Sequence, residues 1–426
     1  MNSLLRIPYA VAGSLAHALV RVVPRGESKF QRGLSARRGL VERYERWSST
    51  SRDPARPLVW LHAPSVGEGL QAQPVIELMR ARRPDVQIAY TFYSPSAESL
   101  ASSLKVDFAD YLPFDTFADA DAIIAALRPS ALVFSKLDIW PALTERAAAA
   151  RVPVGVISAT LAESSGRLGL FARAVLEDAY LAIQRVGAID ERDAERFRQL
   201  GVRPERIEVT GDTRYDQVWT RAQRPPSALI QSLRSSRPTL VAGSTWPTDE
   251  EHLFDAWGKV RDNIPDARLV IAPHELTPPH LASVESWARR RDLRLEHIDA
   301  DSASKADVVL VDRYGVLGDL YALADVAYVG GGFHSAGLHS VLEPAAFGAP
   351  VLFGPRHDKS RDARKLIEAG GGAAVTGAAD LSLRLNDWLG SLPARDSAGE
   401  QARSMVQEGI GAAERSFALV SALLDR

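Results

Sequence analysis

Short apolar runs rich in β-branched residues alternate along this chain with longer stretches where Ala, Leu, Arg and Glu recur at helical spacing. LVWLHA (58–63), VQIAYTF (86–92), ALVF (131–134), VPVGVIS (152–158), VGAI (186–189) and IEVT (207–210) read as buried strands. The pattern breaks over 220–238, TRAQRPPSALIQSLRSSRP, and then restarts. TLVAGS (239–244), RLVIAP (268–273), VVLV (308–311), VAYVGG (326–331) and PVLFG (350–354) form the second set. Continuous apolar strands separated by helices predict parallel sheets covered on both faces. Two such sets predict an α/β protein of two Rossmann-like domains facing each other across a cleft. The expected division is an anchoring helix over 1–24, a first domain over 25–220, a linker over 221–238, a second domain over 239–395 and a terminal helix over 396–426.

At 426 residues the chain exceeds one ordinary core, in keeping with two domains. A net charge of −2 gives no global attraction to nucleic acid, and none is expected as a partner. The charge is unevenly spread: residues 1–56 hold eleven Arg and Lys against four Asp and Glu, a balance of +7, which leaves −9 for the rest. Within this basic end, residues 3–23 are apolar but interrupted by Arg6, His17 and Arg21. The uninterrupted part is shorter than the ~20 residues of a spanning helix. On a helix, Arg6, Ala10, Gly13, His17 and Arg21 make one narrow stripe, which predicts a segment lying in a membrane interface or anchored shallowly. The alternative is a helix packed on the protein's own surface. The chain has no cysteine, which removes disulfides, thiolate metal sites and Cys nucleophiles.

Two segments carry candidate chemistry. In 326–357 a strand runs into Gly330, Gly331 and Gly332, followed by a polar loop and a helix expected to begin around Ser340 to Pro344. Consecutive glycines let backbone amides approach a ligand, and the helix start favours a phosphate. Glu343 is placed to accept hydrogen bonds from a ribose diol. The bland alternative is a tight strand exit with Glu343 as a cap. In 58–74 a strand ends at Ala63, a loop is expected to carry Ser65, Gly67, Glu68 and Gly69, and a helix to start near Pro74. Glu68 then faces the carboxyl end of a sheet as a candidate general base, although a nearby helix start would lower its pKa. Ser244 and Thr245 end one strand as candidate phosphate donors, His274 ends the next, Arg214 lies in GDTRYD, and Lys136 and Asp138 lie at a strand end, either as site residues or as a structural ion pair. No carboxylate cluster has metal spacing, so no metal and no cofactor are expected.

KFQRGLSARRG (29–39), WLHAPSVGE (60–68), YLPFDT (111–116), GDTRYD (211–216), AGST (242–245) and GGGFHSAGLHSVLEPAAFGAPVLFGP (330–355) together resemble the Kdo transferases. These are GT-B glycosyltransferases that move 3-deoxy-D-manno-octulosonic acid (Kdo) from CMP-Kdo to a lipid A precursor. The resemblance runs from the N-terminal anchor to about residue 360. It implies that Glu68 is the catalytic base and Glu343 the nucleotide-binding glutamate. It also places Pro273, His274, Gly315 with its neighbours Tyr314 and Val316, and Ser340, Val341, Leu342 and Glu343 at the CMP-sugar contacts. The first domain would then bind the acceptor and the second the nucleotide sugar, at the cytoplasmic face of the bacterial inner membrane. Amides of the glycine loop, with Arg214 or Lys136, would stabilise the departing CMP phosphate.

Several positions depart from the family pattern. The usual Glu-Thr-Glu is Lys136, Leu137 and Asp138, the usual Lys near the hinge is Arg214, the usual Arg after Pro273 is His274, the usual Asn is Ser340, and Val316 replaces a common acid. A GT-B enzyme for another nucleotide sugar or acceptor, a UDP-sugar epimerase of the same architecture, and an inactive binding homologue are the alternatives.

Overall fold

The computed structural model describes residues 3–22, 26, 28–163 and 165–425. The chain forms two compact units: Met1–Gln217 with Ile410–Arg426, and Val218–Gly409. The first holds seven strands: β1 (Leu58–His62), β2 (Gln87–Phe92), β3 (Phe108–Tyr111), β4 (Ala131–Ser135), β5 (Val154–Ala159), β6 (Arg185–Ala188) and β7 (Ile207–Val209). They pair in parallel in the order β3-β2-β1-β4-β5-β6-β7. The second holds β8 (Thr239–Thr245), β9 (Arg268–Pro273), β10 (Leu295–His297), β11 (Val308–Leu310), β12 (Val326–Val329), β13 (Val351–Phe353) and β14 (Gly372–Ala374). Their order is β10-β11-β9-β8-β12-β13-β14, again all parallel.

Helices cover both faces, so β1, β2, β4 and β5 are buried at every residue. This is why they read as unbroken apolar runs rather than as alternating ones. Segment 207–210 was expected to be a buried strand, but β7 is an edge strand whose residues are partly or fully exposed. Each sheet has a point where strand order reverses, between β1 and β4 in the first and between β8 and β12 in the second. Ligands of such sheets bind outside the carboxyl ends of the strands at this point.

Two helices occupy the C-terminal region expected to be a single one. Leu392–Glu408 packs in the second unit, the chain turns through Gly411 at φ +92°, and Ala412–Leu424 returns to the first. The expected linker also contains structure, since the helix Thr213–Ala222 runs into it and Ala228–Ser232 forms a short helix inside it.

The N-terminal helix runs Ser3–Val22; residues 1, 2, 23 and 24 of the expected anchor lie outside the described residues. Its polar side faces the first unit. Arg6 reaches Glu145 at 2.9 Å, Tyr9 donates its hydroxyl to Asp115 at 2.5 Å, and His17 meets Asp119 at 2.6 Å. Ile7, Val11, Leu15 and Leu19 form an exposed stripe on the other side. Among the described residues no helix is long and apolar enough to cross a membrane.

Candidate functional site

At the first switch point, β1 feeds directly into the helix Val66–Arg82. That helix was expected to begin near Pro74. Instead Pro74 lies inside it and Glu68 sits in its first turn rather than in a loop. Gly69 explains part of the local sequence, because a Cβ there would lie 2.6 Å from the Tyr90 hydroxyl and 2.5 Å from Leu100. The Glu68 carboxylate accepts hydrogen bonds from the Ser65 hydroxyl and, at 3.0 Å, from the Lys136 ammonium. Lys136 follows β4 with φ +69°, a left-handed conformation rare for a side chain of this size. Ser135 holds the same turn by donating to the Glu68 carbonyl at 3.0 Å. Burial pushes the Glu68 carboxyl up, but Ser65 and Lys136 outweigh it and hold it below the usual carboxylate range.

Lys136 and Asp138 are therefore not partners of each other. Asp138 faces the buried His62 at 3.3 Å, accepts from Trp140 Nε1 at 2.9 Å and lies 3.8 Å from Arg167. Burial raises the Asp138 carboxyl, yet His62, Trp140 and Arg167 bring it below its ordinary value. Arg214 grips buried Asp212 through Nε at 2.8 Å and Nη2 at 2.6 Å. Gln71, one turn beyond Glu68, donates to the same Asp212 at 3.1 Å. The helix carrying Glu68 is thus fastened to the Arg214 turn.

At the second switch point the glycines serve the fold first. A Cβ on Gly330 would lie 2.2 Å from the Ser244 carbonyl oxygen, one on Gly331 2.2 Å from that of Gly337, and one on Gly332 2.4 Å from the Gly354 nitrogen. Buried Asp249 collects amides from Gly331 at 2.8 Å, Trp246 at 3.0 Å and Phe333 at 3.2 Å, with the Tyr328 hydroxyl at 3.1 Å. The amide of Gly331, expected to cradle a phosphate, is committed to this carboxylate. Thr245 is likewise committed: its buried hydroxyl donates to Glu250 at 2.7 Å, and His280 holds the same carboxylate at 3.0 Å. Burial raises the Glu250 carboxyl against the pull of Thr245 and His280. Ser244, at φ +54°, remains partly exposed.

Above this base stands a column of rings. His334 stacks on Trp246 at 4.0 Å and 7°, Trp246 on His274 at 4.4 Å, and His274 leans on His339 at 4.5 Å. Burial lowers the His274 pKa, with the His334 ring adding to it, and burial with His274 takes His339 down to about 4. Both shifts favour the neutral ring, which offers hydrogen bonds rather than charge. Pro273 is buried at the end of β9, and Tyr314 is 73% exposed, its hydroxyl accepting from the Leu276 amide at 3.1 Å. Gly315, at φ +87°, and Val316 lead into the helix Leu317–Leu320. The expected helix after Ser340 is one short turn, Leu342–Ala346, with Val341 before it and Glu343 in its first turn. Glu343 lies 3.9 Å from Arg221, which also faces Asp319 at 3.7 Å. Burial raises its carboxyl, Arg221 opposes this and Asp319 adds to it. Among the described residues no group of His, Cys, Asp and Glu is arranged to hold a metal ion.

The family described as 3-deoxy-D-manno-octulosonic-acid transferase (kdotransferase) matches residues 34–217. A 3-deoxy-D-manno-octulosonic acid transferase of Haemophilus influenzae is 26% identical over 401 residues, 92% of each chain. That of Bordetella pertussis is 28% identical over 391 residues, 88% of this chain and 89% of its own. The chain is a homologue of the Kdo transferases. Its fold also matches a UDP-GlcNAc 2-epimerase from Neisseria meningitidis, bound to UDP-GlcNAc, with a TM-score of 0.63 over 87% of this chain and all of that one, at 15% identity. The two parallel-sheet Rossmann-like domains are those of a GT-B fold.

In this Kdo transferase homologue, the structure brings Glu68 and Lys136 together at one strand end, with Arg214 tied to the same helix through Gln71 and Asp212. It gathers Ser244, Thr245, Pro273, His274, Gly331 and Gly332 at the ends of β8, β9 and β12. Glu343 and the turn at 315–318 share Arg221: a Cβ on Gly318 would lie 1.8 Å from the Arg221 guanidinium and 3.4 Å from the Glu343 carboxylate. Sequence reasoning missed Asp249, Glu250, His280, Trp246, His334, His339, His62 and Arg221. Adjacent acids just after a strand end, as in STWPTDEE, were the available signal for the first two.

Proposed function

We propose that this chain is an inverting glycosyltransferase that moves Kdo from CMP-Kdo to a lipid A precursor in lipopolysaccharide synthesis. The observation that carries the mechanism is Glu68: a carboxylate at the switch point of the first sheet, seated in the first turn of a helix and bonded to Lys136 at 3.0 Å. The first unit binds the acceptor and the second binds the donor. Glu68 takes the proton from the acceptor hydroxyl, whose oxygen bonds to the anomeric carbon. The bond from that carbon to the phosphate oxygen breaks, and its electron pair leaves with CMP.

In the second unit Glu343 accepts the ribose hydroxyls. Ser340, Val341 and Leu342 offer amides at a helix start, where intrahelical partners do not exist. Pro273, His274, Tyr314, Gly315 and Val316 frame the nucleotide. Gly331, Gly332 and Thr245 shape the donor site from behind rather than donating to phosphate. Arg214 supplies positive charge for the leaving group, with Lys136 on the acceptor side. No resident metal or cofactor enters the scheme. The exposed stripe of the N-terminal helix and the +7 balance of residues 1–56 favour a position on the cytoplasmic face of the inner membrane, beside an anionic lipid acceptor.

The test is release of CMP from CMP-Kdo by purified protein with a lipid A precursor. Glu68→Gln is expected to lose at least about 100-fold in kcat while CMP binding stays within about twofold of wild type. Turnover by that variant at the wild-type rate would remove the base assignment, and displacement of bound donor by UDP rather than CMP would assign a different sugar nucleotide.

A further inference from the structure

Glu68 presents a difficulty as a base. Its carboxylate already accepts from Ser65 and Lys136, and a carboxylate so held is a poor acceptor for a sugar hydroxyl's proton. The two partners differ in access. Lys136 keeps 42% of its side-chain surface exposed, whereas Glu68 keeps 17%. The ammonium is thus the member of the pair that an incoming group meets first. The turn that holds it is strained and fixed: Lys136 has φ +69°, and its amide donates to the Ile157 carbonyl at 2.8 Å. Strain of this kind persists where surrounding structure enforces it, and it concentrates at functional sites.

The charged neighbours Asp138 and Arg214 are each paired with other residues. Asp138, next to Lys136, is occupied by His62, Trp140 and Arg167. From β2 the Tyr90 hydroxyl faces the Glu68 helix, buried and without a hydrogen-bond partner. Besides Lys136, the Glu68 carboxylate is held by the Ser65 hydroxyl and its own backbone amide. An anion arriving at Glu68 therefore meets the half-exposed ammonium that restrains the base.

We propose that Lys136 senses an oxyanion on the acceptor: the oxyanion draws the ammonium away from Glu68 and so frees the carboxylate to take the hydroxyl proton. Lys136 is then a specificity residue for acceptors that carry a phosphate ester or a sugar carboxylate close to the attacking hydroxyl. The inference rests on the glycosyltransferase reading. It adds that base strength rises only once the correct acceptor is seated.

The experiment compares wild type, Lys136→Met and Lys136→Arg on three acceptors: the phosphorylated lipid, the same lipid after enzymatic dephosphorylation, and the lipid already bearing one sugar acid. Wild type and Lys136→Arg are expected to favour an anionic acceptor by about tenfold or more in kcat/KM, and Lys136→Met to lose that preference. Which acceptor is favoured tells phosphate from carboxylate. Loss of the ammonium also leaves burial opposed only by Ser65 and the Glu68 amide, so the acid limb of kcat/KM moves to higher pH in Lys136→Met. A preference equal to wild type in Lys136→Met, or an unmoved acid limb, overturns the proposal. CMP binding and the melting temperature confirm that the variant is folded, and Lys136→Gln is read the same way should Met disrupt packing. A second readout needs no turnover: the Glu68 carboxyl is titrated by carbon NMR with and without inorganic phosphate. Phosphate should raise its midpoint in wild type and leave it unchanged in Lys136→Met. This result stands even where CMP-Kdo is not the donor, so failure of the sensor and failure of the assigned reaction are distinguishable.

Discussion

At the scale of single residues, Asp249 is the group that gathers the glycine loop of the second unit. Four donors converge on one fully buried carboxylate, so its removal leaves the amides of Gly331, Phe333 and Trp246 and the Tyr328 hydroxyl without partners at once. Each unsatisfied buried donor costs about 1–3 kcal/mol, so Asp249→Ala is expected to destabilise the second unit by at least about 3 kcal/mol. Thermal unfolding followed by the tryptophan signal of that unit checks this, and nucleotide binding should be lost in parallel. A shift below about 1 kcal/mol would mean that water replaces the carboxylate. The glycine run was legible in the sequence as a site where backbone comes close, but not as a site where the approach is to the protein's own backbone. Glycine spacing reports that a Cβ is excluded and says nothing about which atoms exclude it. In the same way Thr245 looked like a donor to a ligand, because the sequence does not reveal that Glu250, five residues on, faces back toward it.

At the scale of elements, the motifs around the first sheet turn out to be one interlocked set. Buried Arg37 from KFQRGLSARRG donates to the Leu112 carbonyl of YLPFDT at 3.0 Å and to Tyr93 O at 3.1 Å, and lies 4.1 Å from the Tyr93 ring. Asp115 of that second motif caps the helix Pro141–Ala149 through the amides of Ala142 and Leu143, and accepts the Tyr9 hydroxyl. The N-terminal helix is therefore held by its polar side, leaving Ile7, Val11, Leu15 and Leu19 outward, where a bilayer interface suits them. Two glutamates at Leu15 and Leu19 should reduce binding to vesicles of anionic phospholipid by about tenfold or more, measured by co-sedimentation. Binding should also weaken as salt rises, because the basic balance of residues 1–56 acts through a screened field. Undiminished binding by the glutamate variant would mean that the stripe does not hold the protein to the membrane. Strand positions were legible because a fully covered parallel strand is apolar at every residue. The start of the helix Val66–Arg82 was not, because Gly67, Gly69 and Pro74 all argue locally against a helix that tertiary packing nevertheless maintains.

At the scale of the whole molecule, the chain leaves the first unit after Gln217 and comes back to it at Ile410, so the last helix completes a core begun more than three hundred residues earlier. Leu419, Val420 and Leu423 are buried in the first core, and Leu423 and Leu419 fill the space that Gly155 leaves on β5. Asp216 accepts the amides of Gly411 and Ala413, and Glu414 forms a two-bond pair with Arg82 at 2.6 Å. The surface ion pair contributes little, but three buried aliphatic side chains contribute about 1.5–3 kcal/mol each. Their sum, roughly 5–9 kcal/mol, is comparable with the whole stability of an ordinary domain. Ending the chain after Gly411 is therefore expected to unfold the first unit at ambient temperature and drive it to aggregate. Residues 218–409 alone keep the core around Trp257 and Trp287 and are expected to show a cooperative melt. The two shortened proteins separate the contributions: a truncated protein that melts like the full chain would mean that the returning helix merely covers the first sheet, whereas loss of cooperativity in the 218–409 fragment would mean that the second unit depends on the first for its own fold.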